Sequence, residues 1–328
     1  MRIIAFEEHS TDVDIAAASR GELLKMAPYI KDFAPPKLKS HDVLEDRGEA
    51  RLAGMDANGI AMQVLSLSDY PQVLAPEQAV PLCQAANDRL ASTVRAHPDR
   101  FGAFATLPLS DPVSAAAELE RVVLRHGFRG ALINGRPEAG PRFLDYPSYA
   151  PVLSKAHELS VPLYLHPGFP YRAVEEIYYA GFKPVVGARL ATFGWGWHNE
   201  AGIHVLRLIL SGAFDRYPNL KVIAGHWGEM VPFFLDRLDA ALPPEVTGLK
   251  RTISDTFREH IFVTPSGMFM LPHCKFILET LGSDRILFSV DYPYLPNDGA
   301  REFLERATIS QADRKKIAHE NAERLLRL

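Results

Sequence analysis

The 328-residue sequence lacks the features that mark several large classes of protein. It has only two cysteines, Cys83 and Cys274, which lie far apart without CxxC or Cys-His spacing, so a disulfide scaffold is excluded. No apolar run approaches the roughly 20 residues of a membrane helix. The N-terminus is too short and too acidic for a signal peptide. We therefore expect a cytoplasmic protein without membrane spans, whose thiols are reduced and structural.

The sequence also lacks an excess of positive charge. Its 36 Lys and Arg residues stand against 40 Asp and Glu residues, which gives a net charge of −4, and no basic run occurs. This balance argues against nucleic acid as a partner. No GxGxxG or GxxxxGK[ST] motif follows the early apolar runs, which argues against a nucleotide-binding fold. A small neutral or anionic ligand fits the composition better.

What the sequence does contain is a regular alternation of two patterns. Amphipathic stretches with helical spacing separate eight short apolar runs, at residues 2–6, 62–68, 101–109, 129–135, 161–167, 220–226, 259–267 and 285–293. Continuous hydrophobicity within a run indicates a strand buried on both faces, as in a parallel sheet covered by helices. The pattern predicts an α/β fold, a (β/α)8 TIM barrel formed as a single domain over 1–328. A doubly wound open sheet is the alternative.

Two connections are long for a barrel, one after strand 1 (residues 10–50) and one after strand 5 (residues 168–200). Both are predicted to be lid-like loops. The second is rich in aromatic residues among several glycines, and these include Tyr171, Tyr178, Tyr179, Phe193, Trp195 and Trp197. This composition suits an aromatic-lined lid, and packing of the loop on its own barrel is the alternative.

Ionisable side chains stand where several predicted strands end. In the run "RIIAFEEHS", Glu7 and His9 share one face of an extended strand, while Phe6 and Glu8 point the other way. Burying an unpaired charge costs several kcal/mol or forces a pKa shift, so these side chains need a compensating partner. The other polar residues at strand ends are Asn134, His166, His226 with Glu229 just beyond, and Asp291.

These strand ends suggest a metal site. Reactive residues of parallel barrels collect at the carboxyl ends of strands. Two imidazoles and two carboxylates on that rim make a mixed nitrogen and oxygen site that suits Zn²⁺ or Mn²⁺. We predict one divalent ion held by Glu7, His9, His166 and Asp291. A catalytically silent barrel that binds an aromatic ligand or a partner would leave the rim carboxylates unexplained.

Four motifs carry a resemblance to a known family. They are "EEH" after the first strand, "YLHP" (164–167), "GHWGE" (225–229) and "DRILFSVDYPY" (284–294). With them the sequence resembles the metal-dependent decarboxylase branch of the amidohydrolase superfamily, which includes dihydroxybenzoate, salicylate and 5-carboxyvanillate decarboxylases. "DRFGAFATLPLSDP" and "GFRGALING" also match in order, so the resemblance covers essentially the whole chain. The segments 10–50 and 168–200 depart from its pattern.

The resemblance implies the four metal ligands already named, with His226 and Glu229 as an acid/base pair beside the metal. It also implies that Asn134 and Arg237 lie near a small aromatic acid substrate. The resemblance also implies a homo-oligomer, and since long aromatic loops are suited to interfaces we expect a homodimer or homotetramer.

The activity implied by the resemblance is non-oxidative decarboxylation of an ortho-hydroxylated aromatic acid of the hydroxybenzoate type. Asp291 would give the ring its proton, while His226 and Glu229 adjust protonation. The same ligands could instead activate water to hydrolyse a lactone, an amide or a C–C bond, with Asp291 as the base. The resemblance favours decarboxylation over this alternative.

Overall fold

The computed structural model describes residues 1–32 and 42–328. Each predicted apolar run contributes a strand, and the eight strands are β1 (Ile4–Ser10), β2 (Met62–Leu67), β3 (Phe101–Ala103), β4 (Ala131–Asn134), β5 (Leu163–His166), β6 (Val222–Ala224), β7 (Ile261–Val263) and β8 (Phe288–Ser289). All of the strand pairs are parallel. The prediction of an α/β fold with parallel strands is confirmed.

The strands form two four-stranded sheets, in the orders β3-β2-β1-β8 and β4-β5-β6-β7. Single bridges join the sheets at both seams, Ala105 to Ala131 and Val263 to Ile286. The predicted barrel is therefore not closed by a continuous ladder within the described residues. The reason is the length of the strands at the seams, since β3 and β7 have three residues and β8 has two.

Helices follow most strands. The α-helices are Val13–Met26, Asp42–Glu45, Glu49–Ala57, Pro76–Ala96, Pro112–His126, Ala150–Leu159, Arg172–Tyr178, Pro184–Ala191, Gly196–Leu210, Ala213–Arg216, Leu235–Ala241, Pro244–Thr247, Ile253–His260, Leu271–Leu281, Ala300–Arg306, Gln311–Lys315 and Asn321–Leu326. A further assigned helix, His226–Glu229, contains non-helical backbone at Trp227 and Gly228 and is better described as a tight turn. In the described part of the chain, no helix combines the length and apolarity of a membrane span.

Two layers of apolar side chains surround the strands. One buried cluster collects residues from all eight strand regions, including Ile4 and Phe6 from β1 and Tyr164 from β5. The other packs between strands and helices and includes Ile3 and Ala5, which alternate with the first pair. Burial on both faces explains why the strands read as continuous apolar runs.

The connection after β1 is less loop-like than predicted. Residues 13–26 form a helix whose first turn is capped by Asp12, which accepts hydrogen bonds from the backbone of Asp14 and Ile15. Residues 33–41 of this connection lie outside the described residues. A lid after β1 therefore stays a prediction.

The connection after β5 is also largely helical, since it contains Arg172–Tyr178, Pro184–Ala191 and the start of Gly196–Leu210. Phe169, Phe193 and Trp197 of this connection line the main cavity, whereas Tyr178 and Trp195 are exposed. Part of the segment therefore contributes aromatic side chains to the cavity wall, as predicted. Closure of this segment as a lid stays a prediction, as does the single domain over 1–328.

Candidate active site

Four predicted ligands meet where β1, β5 and β8 end. One ligand atom from each of Glu7, His9, His166 and Asp291 lies within 4.8 Å of all the others. His9 Nε2 is 3.1 Å from Asp291 Oδ1, and His166 Nε2 is 3.6 Å from Glu7 Oε1. Glu7 and His9 are completely buried, so their polar atoms are shielded from bulk solvent.

The donor atoms of this cluster fit a divalent cation. Within residues 1–32 and 42–328, Glu7 Oε1, His9 Nε2 and Asp291 Oδ1 have no hydrogen-bond partner, although each is buried. His166 Nδ1 lies 2.9 Å from the Pro167 carbonyl oxygen, so it donates there and leaves Nε2 for the cluster. Unpaired buried polar atoms are costly, and a metal bound by two nitrogens and two oxygens would satisfy them together.

Burial also sets the protonation of these ligands. Desolvation raises the pKa of Glu7 above its usual value, despite the opposing charge of His226. Desolvation lowers the pKa of His166 well below its usual range, which favours the neutral imidazole that binds metals. A bound cation would offset the cost of holding Glu7 as an anion at this position.

The backbone at this rim is strained. Left-handed φ angles are rare in residues other than glycine and cost about 1–3 kcal/mol each. Five residues of the site itself adopt them, namely Glu7 (58°), His226 (47°), Glu229 (53°), Ser266 (45°) and Asp291 (67°). At Glu7 this conformation coincides with a register shift between Ala5 and Glu8, which marks a β-bulge at the point where β1 supplies its ligands.

Hydroxyl groups hold the second oxygen of Glu7. Ser266 donates a short hydrogen bond to Glu7 Oε2, and the hydroxyls of Thr264 and Ser289 lie 3.4 Å from the same atom. Tyr164 extends this set, with its hydroxyl 3.0 Å from that of Thr264. These contacts fix the carboxylate so that Oε1 faces the other ligands.

Glu8 belongs to a separate buried network behind the ligands. Its two carboxylate oxygens accept hydrogen bonds from the Val290 backbone N–H at 2.9 Å and from Gln63 Nε2 at 3.1 Å. Arg51 donates to the Gln63 side chain at 3.2 Å and to the His9 carbonyl at 2.6 Å. Because Glu8, Gln63 and Arg51 are all fully buried, this network fastens β1 to β2 and to the segment that carries Asp291.

Beside the metal cluster, one carboxylate lies between two imidazoles. Glu229 Oε1 is 2.8 Å from His226 Nδ1, and Glu229 Oε2 is 2.9 Å from His198 Nδ1. Glu229 is buried, and the two imidazole rings are 4.4 Å apart. These three residues could also ligate an ion. Their facing atoms are already hydrogen-bonded, however, unlike those of the first cluster.

The charges in this group reinforce one another. Burial alone would lower the pKa of His226, but the carboxylates of Glu229 and Glu7 outweigh it and raise the pKa to about 10. Burial would raise the pKa of Glu229, but the nearby His226 and His198 hold it below its usual value. A cation beside Glu7 would oppose this rise, so the pKa of His226 would move back toward neutral pH.

A cavity of about 300 Å³ opens onto both groups. Its surface is mostly aromatic or apolar, and the lining comprises Ser68, Tyr70, Asn134, His166, Phe169, Phe193, Trp197, His198, His226, Ser266, Met268, Asp291, Tyr294 and Leu295. A cavity of this size with a few convergent polar groups is typical of a small-molecule site.

The two residues predicted to lie near substrate have different positions. Asn134 lines the cavity, and its amide nitrogen donates to the carbonyls of Leu67 and Asp69 at 3.0 Å each. Its Oδ1 is buried without a partner among the described residues. Arg237 is exposed on the helix Leu235–Ala241 and is not part of the lining. A substrate contact by Arg237 therefore stays a prediction that the structure of one chain does not support.

Sequence reasoning missed two members of this site, His198 and Ser266. It searched strand ends, and His198 lies in the long connection after β5, close in space to Glu229 only through the fold. The signal available was an ionisable residue within the aromatic stretch "GWGWHNE". Ser266 follows β7, and nothing in its neighbourhood distinguishes it from a turn residue.

Comparison with known proteins agrees with this geometry. The family signature described as amidohydrolase matches residues 27–328. A γ-resorcylate decarboxylase of Rhizobium radiobacter is 39% identical over 336 aligned residues, which cover 99% of this chain and 98% of its own.

Solved structures give the same result. A 2,6-dihydroxybenzoate decarboxylase complexed with 2,6-dihydroxybenzoate is 35% identical, with a TM-score of 0.86 and coverage of 100% of both chains. A dihydroxybenzoic acid decarboxylase from Polaromonas sp. JS666, with bound manganese and the inhibitor 2-nitroresorcinol, is 37% identical with a TM-score of 0.86. It covers 99% of this chain and 97% of its own. The present chain thus belongs to the amidohydrolase family and is a carboxy-lyase of its decarboxylase branch.

Proposed function

We propose that the chain catalyses the non-oxidative decarboxylation of an ortho-hydroxylated aromatic acid, with one divalent cation held by Glu7, His9, His166 and Asp291. The supporting observation is that unpartnered ligand atoms of this cluster meet beside a cavity with aromatic walls. The substrates and inhibitor of the similar structures, 2,6-dihydroxybenzoate and 2-nitroresorcinol, are small aromatic molecules with ortho oxygens.

The proposed cation is Mn²⁺ or Zn²⁺. Two imidazole nitrogens and two carboxylate oxygens suit either ion, and manganese is bound in the similar structure from Polaromonas. When bound, such a cation acts as a Lewis acid for negative charge on the carboxylate and phenolate oxygens of the substrate. Side chains of this protein carry out the proton transfers and orient the substrate.

Asp291 is the proposed proton donor to the ring. A C–H bond forms at the carbon that carries the carboxylate, and the C–C bond to that carboxylate then breaks. Its electron pair returns to the ring, which regains aromaticity as CO₂ leaves. His226 lines the same cavity as Asp291, and returns a proton to it from solvent. Glu229 holds the His226 ring in place through Nδ1.

The cavity walls account for orientation of the substrate. Phe169, Phe193 and Trp197 provide apolar faces for an aromatic ring. Asn134 provides a fixed acceptor, because its amide nitrogen is already bound to two carbonyls and its Oδ1 is unpaired. A substrate hydroxyl that donates to Asn134 Oδ1 would satisfy this atom, which favours hydroxylated rings over unsubstituted ones.

The test is turnover of hydroxybenzoates in D₂O by metal-loaded protein. We expect CO₂ release and one deuterium at the ring carbon that lost the carboxylate. Asp291→Asn should abolish turnover, and Glu229→Gln should slow it by about 10²–10⁴-fold. Asp298→Asn is the control, because Asp298 is an exposed carboxylate in the same loop and should leave turnover unchanged.

Two results would contradict the proposal. One is near-normal CO₂ release by Asp291→Asn, because that result would show that Asp291 is not the proton donor. The other is the appearance of oxygen from labelled water in the product without CO₂ release, which is the result expected of a hydrolase with the same ligands.

A further inference from the structure

The geometry points to His198 as a positioning residue for this reaction, one that fixes Glu229 and, through Glu229, the ring of His226. This inference rests on the proposed function, since it assigns His226 a part in proton transfer. His198 belongs to the connection after β5, at the start of the helix Gly196–Leu210. The inference therefore gives that connection a role beyond its aromatic wall.

Glu229 needs two donors to stay in one orientation. Its side chain is completely buried, and each oxygen has its own imidazole partner, His226 on Oε1 and His198 on Oε2. A buried carboxylate with one partner would carry an unsatisfied oxygen and could rotate about its terminal bond. With both oxygens bound, rotation breaks two charge-assisted hydrogen bonds instead of one.

His198 is itself fixed at both ring nitrogens. Its Nε2 lies 3.1 Å from Trp197 Nε1, which donates to it, and 3.2 Å from the Phe193 carbonyl oxygen. The neutral ring accepts from Trp197, and the protonated ring donates to Phe193. In both forms Nδ1 carries a proton and donates it to Glu229, so His198 serves Glu229 in the same way whichever form is present.

The consequence for His226 is a fixed direction of its ring. Its Nδ1 is held by Glu229, so Nε2 is the nitrogen left for the cavity. If His198 were lost, Glu229 would no longer be held from its far side, and His226 would lose the contact that orients it. His198 acts through Glu229, not on the substrate, because both of its nitrogens are already engaged.

Two substitutions of His198 distinguish its proposed role in fixing Glu229 from simple packing in the cavity wall. His198→Asn keeps a donor close to the position of Nδ1 and loses the ring, whereas His198→Phe keeps the ring and loses the donor. We expect kcat of His198→Phe to fall about 10–100-fold with KM within about threefold, and His198→Asn to retain most of kcat. A residue that only lines the cavity would give the opposite order.

A second measurement, by NMR, does not depend on turnover. In the NMR spectrum of zinc-loaded protein with ¹⁵N-labelled histidine, His198 and His226 should each show a downfield Nδ1–H resonance that is protected from solvent exchange. The His226 resonance should persist in His198→Asn and be lost to exchange in His198→Phe. His204→Gln is the control, since His204 is a buried histidine on the same helix that bonds Leu144 and not Glu229.

Several outcomes would overturn the inference. These are a higher kcat for His198→Phe than for His198→Asn, an unchanged His226 resonance in His198→Phe, or a second equivalent of metal that is lost with His198. If wild-type protein releases no CO₂ from any hydroxybenzoate, the proposed function fails, yet the resonances still report whether His198 fixes His226.

Discussion

At the scale of single residues, the surroundings of each histidine decide its charge. His204 is buried and His226 is largely so, but His226 faces Glu229 and Glu7, whereas the Nε2 of His204 accepts a hydrogen bond from the Leu144 backbone. Burial accordingly lowers the pKa of His204 to about 3, while the pKa of His226 is raised. One is suited to carry a proton, and the other only to accept a hydrogen bond.

The low pKa of His204 predicts loss of stability in acid. An unfolded histidine titrates near pH 6.5, so the neutral form required by the fold is favoured above that pH. Stability contributed by this residue is lost as the pH falls from about 6.5 toward about 3. His204→Gln keeps an acceptor for Leu144 that does not titrate, so it should lose less stability between pH 7 and 4.5, by on the order of 2 kcal/mol.

Urea unfolding of both proteins at several pH values measures this difference. Other titrating groups, such as His260, are common to both proteins and cancel in the comparison. Parallel curves of unfolding free energy against pH for wild type and His204→Gln would show that His204 is not held neutral by the fold.

Much of the site could be predicted residue by residue because parallel strands bring their carboxyl ends to one rim. The sequence therefore predicts that Glu7, His9, His166 and Asp291 lie together, and the structure does bring them together. The structure brings Glu7 and His9 to one site, as alternation along β1 predicts, but β1 is not regular, because its register shifts between Ala5 and Glu8 and Glu7 adopts a left-handed conformation. A bulge of this kind leaves no pattern in the sequence.

At the scale of secondary structure elements, the loops after β4 and β5 meet more closely than side chains would allow. Gly135 follows Asn134, and Gly168 lies two residues beyond His166. A Cβ atom on Gly135 would lie 2.7 Å from Gly168 Cα, and one on Gly168 would lie 2.8 Å from the Gly135 nitrogen. Both contacts are with backbone, which cannot move aside without displacing the two site residues.

Gly168→Ala should therefore lower stability by about 1–3 kcal/mol and reduce kcat by about tenfold or more, because it displaces His166. Gly21→Ala is the matched control, since Gly21 is exposed within the helix Val13–Met26 and an added Cβ would meet nothing within 4 Å. That substitution should stabilise the protein by up to about 1 kcal/mol and leave kcat unchanged. Thermal unfolding measures the change in stability, and initial rates measure the change in kcat. Equal stability and equal kcat for the two variants would contradict the close approach of Gly135 and Gly168.

Elements differ in how well the sequence predicts them. The eight strands were predictable because burial on both faces leaves continuous apolar runs. The helix Val13–Met26 was not, because it buries only Ile15 and Ser19 and so lacks a wide apolar stripe. The short helices of 172–191 have mostly small or exposed side chains, and their form depends on packing that the local sequence does not encode.

At the scale of the whole molecule, the proposed cation should contribute to stability. A ligand that binds only the folded state stabilises it by about 3–4 kcal/mol when present at 100 to 1,000 times its Kd. Removal of metal with a chelator should therefore lower Tm by several degrees, and Mn²⁺ or Zn²⁺ should restore it. Mg²⁺ should restore little, because it prefers oxygen ligands alone. A Tm that is indifferent to chelation would argue against a bound ion.

The pairing of β1 with β8 has a consequence for how the protein is made. Ala5 lies opposite Phe288, so the ligands Glu7 and His9 are joined to Asp291 across almost the full length of the chain. A ribosome therefore makes the first two ligands long before the last one. Until Asp291 has been synthesised the proposed ligand set is incomplete, so we expect the cation to bind at full affinity only after residue 291 has left the ribosome. A polypeptide truncated before Asp291 would lack one of the four proposed ligands and should hold the ion more weakly than this chain does.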